Sequence, residues 1–209
     1  MSRLAALALI AAPLTLVPAP LIAPPALAQS GGLAQVQSHL RAVSTMQADF
    51  TETNRAGQSV SGQVSLKRPG RIRFQYQRGV NKLIVSDGRA LTFVDYEVNQ
   101  VQRWPIGDSP LGVLLNPERD LSRFAEVIAG GANEVRVRAR DPEHPEYGVI
   151  TISFSRDAGA PGGLMLQGWT VRDSQNNLTT IRLSNQRFGM AIPDSIFRYR
   201  DPRPRNRRR

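Results

Sequence analysis

Residues 60–76 read VSGQVSLKRPGRIRFQY. Val60, Val64, Leu66, Ile72, Phe74 and Tyr76 fall on even positions, and Gln63, Ser65, Lys67, Arg71, Arg73 and Gln75 fall on odd ones. Alternation with period two marks strands that have one apolar face, so the stretch predicts two strands. Pro69 and Gly70 make the corner between them, because proline has no amide proton for a ladder and glycine accepts the backbone angles of a tight turn. Arg68 shares the parity of Leu66 and Ile72. If the strand stays regular, its guanidinium points to the apolar side. There its donors need acceptors, and the backbone carbonyls of whatever covers that side would make it a latch. If the corner breaks the parity, Arg68 points to water.

Working outward, residues 31–46 carry Leu33, Val36, Leu40 and Val43 at spacings of three and four, which predicts one amphipathic helix. Residues 47–54 switch to period two. After the opening stretch, residues 82–86 and 89–96 read as strands joined by an Asp87-Gly88 turn, and residues 98–104 as a further strand closed by Pro105. Residues 110–128 place Leu111, Leu114 and Leu115, then Leu121, Phe124, Val127 and Ile128, at helical spacing across an Asn116-Pro117 break, which predicts one or two short helices. Residues 134–140, 149–155, 164–172 and 178–188 return to strands, with a short closing strand over 192–199. Beside Gly168 the apolar parity flips between Leu166 and Trp169, the sign of a β-bulge that bends a strand. Long antiparallel strands with one apolar face, and only three helical segments to cover them, predict an incomplete barrel plugged by helices.

The ends of the chain differ from its body. Residues 1–28 have an early Arg3, an apolar run from Leu4 to Val17 and a small-residue Ala26-Leu27-Ala28 ending, the pattern of a secretory signal peptide cut between Ala28 and Gln29. Pro13 and Pro18 interrupt the run, which argues against a membrane anchor. Residues 29–200 then form one domain, and residues 201–209, DPRPRNRRR, a disordered basic tail that either lies near anionic lipid or is simply solvated. The formal net charge is +10 and there is no cysteine, so neither a disulfide nor a lipidated cysteine is available. An exported chain of this kind is a poor partner for nucleic acid.

Catalytic patterns are absent from the sequence. His39 reads as a helix-surface residue and His144 as a loop residue, and neither sits at metal-ligand spacing. The acidic residues 141–146 are interleaved with proline, which favours a plain turn. No metal, no cofactor and no enzymatic activity are expected.

The run Leu66-Lys67-Arg68-Pro69-Gly70-Arg71-Ile72-Arg73-Phe74, followed by Leu83-Ile84-Val85-Ser86-Asp87-Gly88 and by Leu91-Thr92-Phe93, resembles the periplasmic outer-membrane lipoprotein carrier family, LolA. The similarity extends to Ala48-Asp49-Phe50, to residues 110–115 and to Ile192-Pro193 with Phe197. Thr92 stands where the family often has tryptophan, and the arginine-rich tail lies outside the pattern. The resemblance implies a half-open antiparallel β-barrel covered by an α-helical lid that encloses a hydrophobic cavity for the acyl chains of a lipoprotein. Cargo would be loaded by an inner-membrane ABC-type releasing complex and handed by a monomeric carrier to an outer-membrane acceptor. Arg68 matches the family's lid latch. Phe50, Val64, Leu66, Ile72, Phe74, Leu91 and Phe93 are the expected cavity lining, with Leu111, Leu114 and Leu115 on the lid. A binding module for another envelope amphiphile or a polyanion is the alternative function.

Overall fold

A computed structural model describes residues 25–108 and 111–204. In chain order the elements are α1 (Pro25–Ala42), β1 (Thr45–Asn54), β2 (Ser59–Lys67), β3 (Arg71–Tyr76), β4 (Lys82–Asp87), β5 (Ala90–Asp95) and β6 (Gln100–Pro105). Then come α2 (Gly112–Leu115), β7 (Ala125–Gly130), β8 (Glu134–Arg140), β9 (Val149–Arg156), β10 (Leu164–Arg172) and β11 (Leu178–Phe188). Short 3-10 turns at Ile106–Asp108 and Leu121–Arg123 flank α2. The signal-peptide expectation falls largely on residues 1–24, and most of the basic tail on residues 205–209, outside the described residues.

All eleven strands join one antiparallel sheet in the order β6-β5-β4-β3-β2-β1-β11-β10-β9-β8-β7. Two meanders, β1–β6 and β7–β11, meet where β1 pairs β11, so β6 and β7 are left as the two edges of an unclosed sheet. Residues 106–124 connect those edges. The link therefore has to cross the open side, and it carries α2 across the inner face of the sheet. The opening stretch behaves as its parity requires: Val64 lies opposite Phe74 and Leu66 opposite Ile72, and all four are buried. Together with Val36 and Leu40 of α1, with Val43 just after it, and with Val113, Leu114 and Leu115 of α2, they belong to one apolar core on the inner face.

A second, smaller core lies on the other face of β4 and β5. Leu83, Val85 and Val94 pack there with Ile192 and Phe197 of the C-terminal segment. This segment is not the strand expected over 192–199 but an extended strap with a 3-10 turn at Asp194–Phe197. Its carbonyls are taken by side chains instead of a neighbouring strand: Lys67 Nζ donates to Ile192 O at 2.9 Å, and Arg73 Nη1 to Ile196 O and Arg198 O at 2.9 and 3.0 Å.

Two further boundaries differ from the reading of the sequence. The first helix ends at Ala42 and not at Met46, because Thr45 and Met46 pair with Lys67 and Leu66 and the ladder claims their backbone. Residues 125–130 are a strand and not a helix. Ala125 and Val127 turn inward while Glu126 and Ile128 turn outward, and a bulge between Val127 and Ala129 resets the register against β8.

The bulge expected at Gly168 is present, with a register shift between Leu166 and Gly168 against β9. Gly168 has φ 146, and a Cβ there would lie 2.1 Å from the Ile181 carbonyl oxygen. Gly168→Ala therefore forces two packed backbones apart and is expected to cost about 3 kcal/mol of stability. Chemical denaturation of variant and wild type measures it.

Candidate functional site

The corner at residues 68–70 is where the inner face, the link across it and the N-terminal helix come together. Gly70 has φ 67, and a Cβ on it would lie 2.9 Å from Gly88 O. Ser86 Oγ donates to Gly70 O at 2.7 Å and accepts from Gly88 N at 3.2 Å. Asp87 Oδ1 accepts from the amides of Arg89 and Ala90 at 2.9 and 3.0 Å, and Asp87 Oδ2 pairs with Arg103 Nη2 at 2.7 Å. The R-P-G and S-D-G triplets are thus two sides of one contact: Gly70 has no room for a side chain, and Gly88, with φ 98, holds a backbone conformation that side chains disfavour. Their joint function is to hold the backbone from which Arg68 extends.

Arg68 keeps the inward parity. Its Nε donates to Val43 O at 3.4 Å, just beyond the end of α1, and its Nη1 donates to Leu114 O in α2. The guanidinium thus ties both covering helices to the rim of the sheet. Burial lowers its pKa to about 10, still far enough above neutrality for the charge to persist. No ion pair includes Arg68 among the described residues, so backbone carbonyls are its acceptors. A charged donor gives stronger hydrogen bonds than a neutral one, and losing it would leave carbonyls buried without a partner.

Below the corner, Phe50, Val64, Leu66, Ile72, Phe74 and Leu91 share one buried cluster. Phe50 is its centre: its ring stands edge-on to Phe74 at 5.3 Å and to Tyr76 at 5.2 Å, and Phe74 stands edge-on to Trp169 at 6.0 Å. Gly62 lies opposite Phe50 on β2, and a Cβ there would come 2.7 Å from the Phe50 ring, so the glycine makes space for the aromatic. Phe93 lies apart. It is half-buried, opposite Ile84 and Gln102 towards edge strand β6, and outside the cluster. Thr92 points to the second core, opposite Val85, so its departure from the family's tryptophan removes nothing from the inner face. On the link, Leu114 and Leu115 are buried, and Leu111 is half-buried against the same cluster.

At the far end of the inner face the chemistry turns polar. Tyr76 Oη donates to Glu52 Oε2 at 2.6 Å, and burial, aided by the neighbouring carboxylate, pushes the Tyr76 phenol well above its ordinary pKa.

Three features were not found from the sequence. Asp194 Oδ1 accepts from Lys67 Nζ at 2.6 Å and Arg71 Nη1 at 3.2 Å, so the strap is clipped to the residues flanking the corner; only the alternation of basic residues around Pro69-Gly70 hinted at a partner. Trp169 joins the inner aromatics because the bulge flips it inward. His39, read as a surface residue, is 2 % exposed. It lies three residues after Val36 and just before Leu40, at the edge of the apolar stripe. Its Nδ1 donates to Pro161 O at 2.7 Å, and its ring stands edge-on to Phe154 at 5.3 Å. Gly162, with φ 65, lets that turn press against the helix backbone. His144 is a loop residue, as expected, against Glu146 Oε1 at 3.0 Å.

Burial, with the Arg68 charge adding to it, lowers the His39 pKa below its ordinary value despite the hydrogen bond that its Nδ1 donates to Pro161 O. The unfolded chain therefore binds a proton that the folded chain refuses. Stability is full above the unfolded value of about 6.5 and falls as pH drops below it, by at most about 1.4 kcal/mol per pH unit until the folded pKa is reached. In His39→Gln, thermal melts should lose this dependence; an unchanged slope would remove the assignment.

The family model for the outer membrane lipoprotein carrier protein LolA matches residues 41–200. An outer-membrane lipoprotein carrier protein from Chromobacterium violaceum is 28 % identical over 185 residues, covering 84 % of this chain and 86 % of that one. One from Dechloromonas aromatica is 27 % identical over 188 residues, covering 85 % and 88 %. Among solved structures, a DUF1329 family protein from Desulfovibrio piger aligns over 81 % of this chain and 97 % of that one with a TM-score of 0.50 at 11 % identity, a likeness of fold alone. The match over residues 41–200 takes in the R-P-G and S-D-G corner, the inner apolar face and the link that crosses it; the chain belongs to the LolA family of outer membrane lipoprotein carrier proteins.

Proposed function

We propose that the protein is a periplasmic, non-enzymatic carrier that shelters the acyl chains of lipoproteins between an inner-membrane ABC-type releasing complex and an outer-membrane acceptor. In this reading the inner face of the sheet is the binding surface, and the link bearing Leu111, Leu114 and Leu115 is its lid. The observation that carries it is Arg68, a charged group spent on bridging Val43 O to Leu114 O across the rim of a continuous apolar face. A purely structural core has no need of a polar clasp between its cover and its wall. A cargo that must be released does need one, since a hydrogen-bonded closed state competes with the loaded state.

The energetics set the task. Three acyl chains of about 15 methylenes, at about 0.8 kcal/mol each, resist entry into water by on the order of 35 kcal/mol. The carrier therefore needs a broad apolar shelter. The inner face is filled in the closed form by Val113, Leu114 and Leu115, so moving the lid exposes apolar surface for the acyl chains to cover in its place. The test is transfer itself: lipoprotein-loaded inner-membrane vesicles with their releasing complex, incubated with the purified protein, should yield soluble lipoprotein. No release above the level without the protein would refute the reading.

A further inference from the structure

The two halves of the sheet differ on their outer face. Over β4 and β5 the C-terminal strap covers it. Over β7 to β11 lies a groove of about 760 Å³ between the segment leading into β7 and the outer side chains of β8 to β11. The register places these side chains in two adjoining rows. Arg138 lies opposite Thr151, and Thr151 opposite Thr170; next to them, Arg140 lies opposite Val149, and Val149 opposite Arg172.

Arg140 and Arg172 are therefore two strands apart, about 10 Å between backbones, and their long side chains can close on one ligand above Val149. Arg138 is bound to Glu126 through two donors, at 2.9 and 2.6 Å. Arg172 gives one N–H to Asn176 Oδ1 at 2.9 Å. Arg123 and Arg140, at the rim and on the floor, form no ion pair among the described residues. Four guanidinium groups line the groove against the single carboxylate of Glu126, so their mutual repulsion is only partly offset, and an anion relieves the rest. Guanidinium forks with neighbouring hydroxyls are phosphate chemistry, and the half-buried Val149 between Arg140 and Arg172, with Leu178 beyond Arg172, gives an apolar floor suited to an amphiphile.

We propose that this outer groove binds the phosphate headgroups of an anionic lipid surface and so seats the protein on the membrane by the face opposite to its apolar core. This goes beyond the carrier reading, since it concerns other residues and the other face of the sheet. Seated this way, the inner face and α2 stay clear of the lipid.

The test is co-sedimentation of the full mature chain with phosphatidylcholine vesicles, with and without phosphatidylglycerol. The double variant Arg140→Gln/Arg172→Gln should bind the anionic vesicles about 30-fold more weakly, from about one kcal/mol for each basic residue near the surface. The double variant Arg78→Gln/Lys82→Gln, which removes the same charge from exposed positions outside the groove, should bind nearly as the wild type does. Equal losses in both variants would reduce the effect to net charge and overturn the proposal. So would binding of inorganic phosphate, read by calorimetry, with no preference for anionic vesicles, because the occupant would then be free phosphate.

Discussion

Arg68→Leu is expected to speed hydrogen exchange at the α2 amides by on the order of 100-fold and to slow hand-over of bound lipoprotein by a similar factor. The variant loses donors to Val43 O and Leu114 O. Hydrogen bonds from a charged group contribute about 1.5–3 kcal/mol each, so roughly 3 kcal/mol of closing free energy disappears, which is about two decades in the opening equilibrium. The amides of Leu114, Leu115 and Asn116, which donate to Leu111 O and Gly112 O within this segment, report the opening directly. The same shift works on affinity. A ligand that needs the open form binds more tightly when that form is more populated, so cargo enters the variant readily and leaves it slowly. Arg68→Lys should fall between, since an ammonium keeps the charge but not the fork that reaches two carbonyls. Wild-type exchange and wild-type hand-over in Arg68→Leu would show that the clasp is ornamental.

Phe50→Ala should cost about 4 kcal/mol of folding stability. The ring is 2 % exposed, and removing a buried phenylalanine costs about 3–5 kcal/mol from lost transfer and the void left behind. The upper part of that range is expected because two edge-on partners, Phe74 and Tyr76, lose their contact at once. Phe93→Ala makes the comparison sharp. It deletes the same ring from a half-buried position outside the cluster and should cost less than half as much. Urea denaturation midpoints decide between them; equal losses would mean that Phe93 belongs to the core as much as Phe50 does.

The sheet was legible in the sequence because most strands state their faces by parity and their ends by turn residues. Residues 60–76 show it best, since their six even-numbered apolar residues all fall on the inner side. Arg68 was legible only as a pair of alternatives; the structure keeps its parity because Gly70 and Gly88 interlock and hold the corner regular. The edge strand β7 was not legible. Leu121, Phe124 and Val127 repeat at three residues, as a helix would, yet they belong in turn to a 3-10 turn, a connector and a bulged strand. The C-terminal strap has the apolar pattern of a strand because its apolar residues are real core residues; what replaces the ladder is a set of basic side chains more than 100 positions away in sequence. His39 is buried because it sits beside Leu40 at the edge of the apolar stripe, a place that its residue type alone does not reveal. Of the expected lining, only Phe93 departs from the buried cluster, since alternation gives the face of a strand but not how far along the sheet the covering helices reach.

The most direct test is native mass spectrometry of the mature protein isolated from envelope extract together with its releasing complex. The account predicts a one-to-one complex with a triacylated lipoprotein, weakened when the inner aromatics are replaced. Recovery of free phospholipid alone, or of the empty protein under the same conditions, would contradict it.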